Sequence, residues 1–246
     1  MMLIAQELTY YGLDSYKKRM LPELLHRLAD VKGLEWIRLH YAYPSKFPLE
    51  ILDVMREREN ICNYLDMPLQ HAANRMLKAM KRQITREEME DLVSAIRERV
   101  PGICLRTTLI AGFPGETEDD VEELKGFLQR QRFDRVGIFT YSHEEGTSAH
   151  SMADDVTAED KERRAQEIME VQQEISLELN QAKVGKVFKT LIDKKEAGRY
   201  LGRTEFDSVE VDNEVVIHSD KKLPVGDFVQ VKITRAYDYD LEGEVV

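Results

Sequence analysis

Several polar residues fall where a barrel enzyme places its chemistry. Gln6 and Tyr10, Tyr43 and Ser45, Gln70 and His71, Glu116 and Tyr141 each follow a short apolar run, and Arg106 opens one. If the runs are parallel strands, residues just past their ends share one rim, which is where β/α barrels bind and transform substrates. Amides, hydroxyls and a guanidinium on that rim suit hydrogen bonding to a polar ligand. His71 is the imidazole among them, and its near-neutral titration suits a general base. It also opens a helix, where it serves equally to hydrogen-bond the backbone. The segment Gly112-Phe113-Pro114-Gly115-Glu116-Thr117 is not a phosphate loop, because it lacks the P-loop lysine and the third glycine of the dinucleotide fingerprint. It reads as a tight turn into a capped helix, with Gly112 able to admit a flat ligand close to the backbone. Cys62 and Cys104 stand alone, without C-x-x-C spacing, and read as small buried apolar residues. No set of His, Cys and carboxylates has metal-ligand spacing, so neither a metal site nor a single catalytic residue is assigned.

The elements that must carry these residues alternate in type. Leu3–Ala5, Trp36–Ala42, Tyr64–Met67, Arg106–Ala111 and Val136–Thr140 read as strands. Between them, helices are expected around Leu21–Asp30, Leu49–Arg58, Ala72–Lys81, from Thr85, and over Val121–Arg130. Thr85 with Glu88, and Thr117 with Asp120, have capping-box spacing. Alternation of this kind predicts a parallel sheet with right-handed crossovers. The chain opens directly on a strand, so the sheet is expected to be open at the edge where a barrel's first strand would lie. Thr157–Ala182 reads as a long helix whose Ile168, Val171, Ile175 and Leu179 form one apolar stripe. Beyond it the period falls to two. Val187–Ile192, Tyr200–Thr204, Ser208–Val211, Val215–Ile217, Phe228–Thr234 and Leu241–Val246 read as the strands of a small antiparallel barrel.

Bulk properties exclude rather than identify. The chain has 246 residues, a formal net charge of −11 and no apolar run near the roughly 18 residues of a membrane helix. Two isolated cysteines point to a reducing, cytoplasmic compartment rather than to a disulfide framework. The acidic balance disfavours a general nucleic-acid binder and suits a small ligand or a basic protein.

Five segments taken together are more specific. AQELTYYGLD (5–14), RLHYAYPSKFP (38–48), YLDMPLQHA (64–72), RTTLIAGFPGET (106–117) and FTYSHEEGTSA (139–149) resemble the radical S-adenosylmethionine methylthiotransferases. GRTEFDSVEVDN (202–213) and GDFVQVKITRAYDYDLEGEV (226–245) resemble that family's TRAM barrel. The resemblance implies an α/β fold: a partial, open TIM-like radical-SAM barrel over residues 1–182, followed by a small antiparallel β-barrel, the TRAM domain, over 183–246. It implies a transferase. The QELTYYG stretch and the YDYDL segment are most similar to the branch that adds a methylthio group to the β-carbon of an aspartate in the twelfth small-subunit ribosomal protein. The alternatives are the branch that modifies a tRNA adenosine, and a chain that only binds substrate.

The same resemblance implies S-adenosylmethionine and two 4Fe–4S clusters. One cluster is held by the thiolates of a C-x-x-x-C-x-x-C motif, and neither cysteine set occurs in this chain. The expectation is therefore a fragment that begins at the second barrel strand and is inactive alone. On this chain the resemblance implies that Gln6, Arg38, Gln70 and Arg106 contact the nucleoside or its amino-acid end, while Ile110, Gly112 and Phe139 cradle the adenine. Residues 183–246 hold 11 Lys/Arg against 13 Asp/Glu, which favours a basic ribosomal protein over tRNA as the partner. Glu205, Asp207, Glu210, Asp238 and Asp240, grouped in turns, are the acidic residues expected to meet it. No membrane contact is expected, and the open sheet edge invites pairing between copies.

Overall fold

In the computed structural model, which describes residues 1–246, alternate residues of five short strands point to opposite faces of one sheet. The strands are β1 (Met2–Leu3), β2 (Ile37–Leu39), β3 (Ile61–Asp66), β4 (Cys104–Ala111) and β5 (Arg135–Thr140). All are parallel and lie in chain order, and the sheet does not close, as the alternation predicts. Ile37, Leu39, Ile61, Leu65, Leu105 and Leu109 face one way, into the main core. A short exposed helix α1 (Leu13–Tyr16) follows β1, and the core is completed by helices α2 (Leu21–Ala29), α3 (Glu50–Glu57), α4 (Asn74–Ala79), α5 (Arg86–Arg99), α6 (Glu118–Gln131) and α7 (Ala158–Gln181). Ile168 and Ile175 of α7 are buried in it, on the predicted stripe. The intervening strand residues, Arg38, Tyr64, Asp66, Arg106 and Thr108 among them, line the other face, the inner wall of a half-barrel.

Local chemistry sets the helix starts. Thr85 and Glu88 exchange side-chain and backbone hydrogen bonds at the start of α5. Thr117 and Asp120 form the equivalent box at α6, and the Thr157 hydroxyl accepts from the Asp160 amide at α7. Each supplies partners for amides that a helix start leaves open.

The second sheet is a closed barrel of β6 (Val187–Glu196), β7 (Arg199–Thr204), β8 (Val215–His218), β9 (Phe228–Ala236) and β10 (Leu241–Val245) in the order β10-β8-β7-β6-β9. It differs from expectation in two respects. Ser208–Val211 is not a strand but a turn, so the barrel has five strands rather than six. The barrel is also not wholly antiparallel, because β10 closes it by running parallel to β8. The turn exists because its polar atoms are satisfied across the domain boundary, as shown below. Two glycines let the small barrel close: a Cβ on Gly243 would lie 2.6 Å from the Lys232 carbonyl oxygen, and one on Gly202 would overlap the Leu191 carbonyl. Gly202→Ala is therefore expected to destabilise the chain by about 1–3 kcal/mol through overpacking. An unchanged midpoint in urea unfolding would contradict this reason for the glycine.

Candidate functional site

At the carboxyl ends of the strands the backbone is strained. Tyr41 and Gln70, just past β2 and β3, adopt left-handed φ values of 57° and 75° although neither is glycine. Such conformations cost on the order of 1–3 kcal/mol and concentrate at ligand sites. The strain at Gln70 is held in place by two hydrogen bonds: its amide donates to the Thr108 carbonyl at 2.9 Å, and its carbonyl accepts from Ile110 at 2.8 Å. Ile110 and Phe139 are register partners on adjacent strands. Ile110 is half-buried, Phe139 is 60% exposed, and Ile4 beyond β1 is also 60% exposed. An apolar shelf thus lies open on the inner wall, with the amide of exposed Gln6 at the end of β1 and that of Gln70 at the end of β3. Such a surface suits a flat, weakly polar ring with hydrogen-bonding edges. It offers no acid or base.

Below the shelf the inner wall is ionic, and its partner is the turn at 204–213. The Asp66 carboxylate takes Arg106 Nη1 at 2.8 Å and faces His40 Nδ1 at 3.5 Å. Arg106 Nε reaches Asp212 at 3.3 Å, and the Tyr64 hydroxyl donates to the same carboxylate at 2.7 Å. Arg38 lies 4.5 Å over the Tyr64 ring and donates to the Glu205 carbonyl at 2.6 Å. Arg135 Nη2 pairs with Asp207 at 2.8 Å, both side chains about 95% or more buried. His40 Nε2 and Ser208 Oγ are 3.0 Å apart, and Trp36 packs edge-on against Phe228 at 4.7 Å. Burial opposes ionisation of Asp66, but hydrogen bonds from His40 and Arg106 and the Arg106 charge outweigh it, and its pKa falls below the usual range. Burial likewise opposes charge on Asp207, and the Arg135 and Lys183 charges reverse that effect. Arg135 is pushed the opposite way from its burial, upward, by Asp207.

This network changes the reading of several residues. Arg38 does not face the rim: it is buried and bound to the barrel turn. Arg106 is held by Asp66 and Asp212, beneath the shelf rather than on it. Asp207 is 2% exposed and faces Arg135, so it cannot meet a docking protein. Glu205 accepts from the Asn63 amide at 2.9 Å, and Asp238 is bonded to Gln173 of α7. Of the five expected docking acids, Glu210 and Asp240 remain exposed, and Asp240 accepts from the Glu214 amide at 3.0 Å. The physical reason is common to the set: each internal acid meets a cation or an amide distant in sequence.

Gly112 also has another purpose. Its φ is 75°, and an added Cβ would lie 2.9 Å from Lys161 Cβ, so the missing side chain admits α7 rather than a ligand. His71 is fully buried. Its Nδ1 accepts from the amides of Ala72 and Ala73 at 2.8 and 2.9 Å, which leaves the proton on Nε2, 3.2 Å from Glu116. Glu116 in turn takes the Gly112 amide at 2.8 Å and Arg164 at 3.1 Å. This is the helix-opening role. Missed by sequence reasoning were Tyr41, whose strain has no local signature, and Asp212, which accepts from the nearby Ser208 amide but whose side-chain partners Arg106 and Tyr64 lie more than 100 residues away.

The profile of the Radical SAM superfamily matches residues 5–128, and that of the TRAM domain matches 184–246. The chain is similar to the protein named ribosomal protein uS12 methylthiotransferase RimO of Cytophaga hutchinsonii, 58% identical over 100% of this chain and 56% of that protein. It is 54% identical to proteins of the same name from Flavobacterium psychrophilum and Bacteroides thetaiotaomicron, over 99% of this chain and 57% and 56% of theirs. The chain therefore spans about half the length of the curated relatives it matches. Among solved structures, coproporphyrinogen III oxidase (HemN) from Escherichia coli, described as a radical SAM enzyme, superposes with a TM-score of 0.51. That alignment covers 75% of this chain and 50% of that one at 18% identity, a likeness of fold.

Asp207→Asn is expected to cost about 3–5 kcal/mol, because it leaves Arg135 charged and buried without its partner, whereas Glu210→Gln in the same turn should change stability by less than about 0.5 kcal/mol. Urea unfolding of the two variants checks the contrast. The depressed carboxyls of Asp66 and Asp207 also set a pH window. Their contribution is complete above the unfolded value of about 3.9 and is lost as pH falls through their lower folded values. Thermal melts should fall on acidification below about pH 4, and less steeply in Asp207→Asn.

Proposed function

This chain belongs to the radical SAM superfamily, and from that membership we propose that it forms the cofactor-facing wall and TRAM barrel of a methylthiotransferase. Its substrate in this reading is the twelfth small-subunit ribosomal protein, modified at the β-carbon of an aspartate. The observation that carries the proposal is the 58% identity, along the whole chain, to a protein named for that activity. The open shelf supports it: Ile110 and Phe139 would lie against an adenine ring, and the amides of Gln6 and Gln70 would hydrogen-bond its polar edge or the amino-acid end. S-adenosylmethionine held there would supply methyl-donating chemistry, and hydrogen-abstracting chemistry once given an electron by the 4Fe–4S cluster that the resemblance implies and that this chain's residues do not hold. The chain's own residues bind one face of the adenosyl group, shield it from water on that side, and fix its height above the Asp66–Arg106 pair. None of them is assigned a proton transfer.

The residues of this chain do not fit an iron–sulfur cluster. Cys62 and Cys104 are buried beside Tyr64, and burial pushes the Cys62 thiol up to about 11 and raises Cys104 as well. A cluster needs thiolates, and groups so disfavoured as anions do not supply them. No three donors of the His, Cys, Asp and Glu kinds stand together elsewhere. No step is derived through a cluster on these residues. No helix of the chain is long and apolar enough to cross a membrane.

Two measurements test the proposal. Anaerobic incubation of the chain with iron and sulfide should leave it without a visible thiolate–iron band, and stoichiometric iron with such a band would contradict the reading of the cysteines. Mass spectrometry of the twelfth small-subunit protein, from cells with and without the gene, should show the methylthio mass on one aspartate lost with the gene. An unmodified protein in both strains, or loss of a methylthio group from tRNA adenosine instead, would overturn the assignment.

A further inference from the structure

The three segments that follow β1, β2 and β3 carry seven cations that form no salt bridge, although the Glu7 carboxylate lies near enough to Arg82 to act on its charge. In the first loop Lys17 and Lys18 are exposed, and Arg19 lies 5.1 Å over the Tyr10 ring. Lys46 is exposed in the second loop, and its carbonyl accepts a hydrogen bond from Arg19. In the third segment Lys78 on α4 and Lys81 just past it are exposed, and Arg82 lies 4.4 Å over the Tyr43 ring of the second loop. The Gln83 amide donates to the Tyr43 hydroxyl at 3.3 Å, which ties the second and third loops together. These contacts join the three loops in one arc along the rim. None of the seven cations takes part in an ion pair, whereas the neighbouring Arg75 and Arg86 are paired with Asp120 and Glu123.

The charge is segregated. The first segment carries two acids, Glu7 and Asp14, which accept from the Thr9 and Ser15 amides at 2.9 and 2.7 Å; these hydrogen bonds do not neutralise them, so they lower but do not cancel the excess of cations. The loop after β5, on the far side of the rim, carries Glu144, Glu145, Asp154 and Asp155 and no lysine or arginine. A net charge of −11 therefore conceals a basic arc. Between and beside the cations stand exposed rings: Tyr10 is 48% exposed, Tyr16 58% and Tyr41 46%. Lys78, Lys81 and Arg82 line an open groove of about 660 Å³ in which the one carboxylate, Glu88, accepts from the Thr85 amide at 2.8 Å, so the lining carries a net positive charge. Unpaired cations spaced along a groove neutralise successive phosphates, and exposed aromatic faces between them stack bases without regard to sequence.

We propose that this arc binds the backbone of single-stranded RNA, with the exposed tyrosines stacking against its bases. The choice of RNA over DNA rests on the proposed function, since a ribosomal protein is met beside ribosomal RNA; the arc itself does not depend on that reading. It places an RNA partner at the mouth of the half-barrel rather than on the TRAM barrel, whose own charges sum to an acidic balance.

The test is fluorescence anisotropy of the chain with a labelled single-stranded RNA about 16 nucleotides long, titrated at several salt concentrations between roughly 50 and 200 mM. Binding should weaken steeply with salt. K78E/K81E should lower affinity at least about tenfold and reduce the slope of log K against log salt by about 1.4, two contacts at about 0.7 each for a single strand. K17E/K18E should act in the same way. All four lysines are exposed, so both variants should melt as the parent does. K221E/K222E, on the TRAM barrel, should leave affinity within about twofold. The proposal fails if the parent does not bind RNA at low salt, if K221E/K222E abolishes binding while the arc variants do not, or if anionic lipid vesicles are bound and RNA is not. RNA binding through the arc, combined with an unchanged ribosomal protein after gene deletion, would keep this inference and overturn only the proposed function.

Discussion

The structure depends on one buried pair, Arg135 with Asp207. Arg135 opens the last strand of the parallel sheet, Asp207 sits in the turn that leaves the small barrel, and neither side chain has meaningful access to water. A buried charge without its partner is costly enough to unfold a domain of ordinary stability. The two sheets must therefore meet at this point or each bears an uncompensated ion. Around the pair, Arg38, Tyr64, His40 and Arg106 make further contacts to the turn at 204–213, which is the floor of the half-barrel as much as part of the TRAM barrel.

That floor separates two kinds of surface on one wall. Its lower part is ionic and, apart from the unpartnered Nε of Arg135, engaged in internal contacts that hold its position. The upper part, around Ile110 and Phe139, is apolar and open, and its backbone is held in strained conformations at Tyr41 and Gln70. A wall fixed from beneath can keep strained residues above it from relaxing. The positions of Arg106 and Asp66 are thus set by a residue of the other domain, Asp212, and the height of the shelf follows from theirs.

What could be read in the residues divides along sequence distance. The five strands, the capping pairs Thr85/Glu88 and Thr117/Asp120, and the stripe on α7 depend on neighbours within a few positions, and all are found. Glu205 and Asp207 read as surface acids because their partners, Asn63 and Arg135, lie 142 and 72 residues away. Ser208–Val211 has the alternation of a strand but closes as a turn, the Ser208 amide donating to Asp212 and the Val211 and Asp212 amides to the Ser208 carbonyl, with the Ser208 hydroxyl on distant His40. Gly112 was explained by a ligand where the reason is α7, which arrives about 50 residues later. The parallel β8–β10 pairing has no signature in a period-two pattern, since parallel and antiparallel strands share it. Ile110 and Phe139 are singled out through the resemblance rather than by their pattern, because apolar residues run through buried parallel strands whether or not they meet a ligand.

The long sequence separations also constrain how the chain reaches this state. Until the segment around 204–213 returns, the inner wall carries Arg38, Arg106 and Arg135 facing solvent, and a collapsed half-barrel would strand them. Contacts closing loops of 72 to 167 residues form late, because the chain entropy they cost is incurred before they add stability. The parallel sheet should thus pass through a hydrated, loosely ordered stage, and its tight packing should appear in the same kinetic phase as docking of the small barrel.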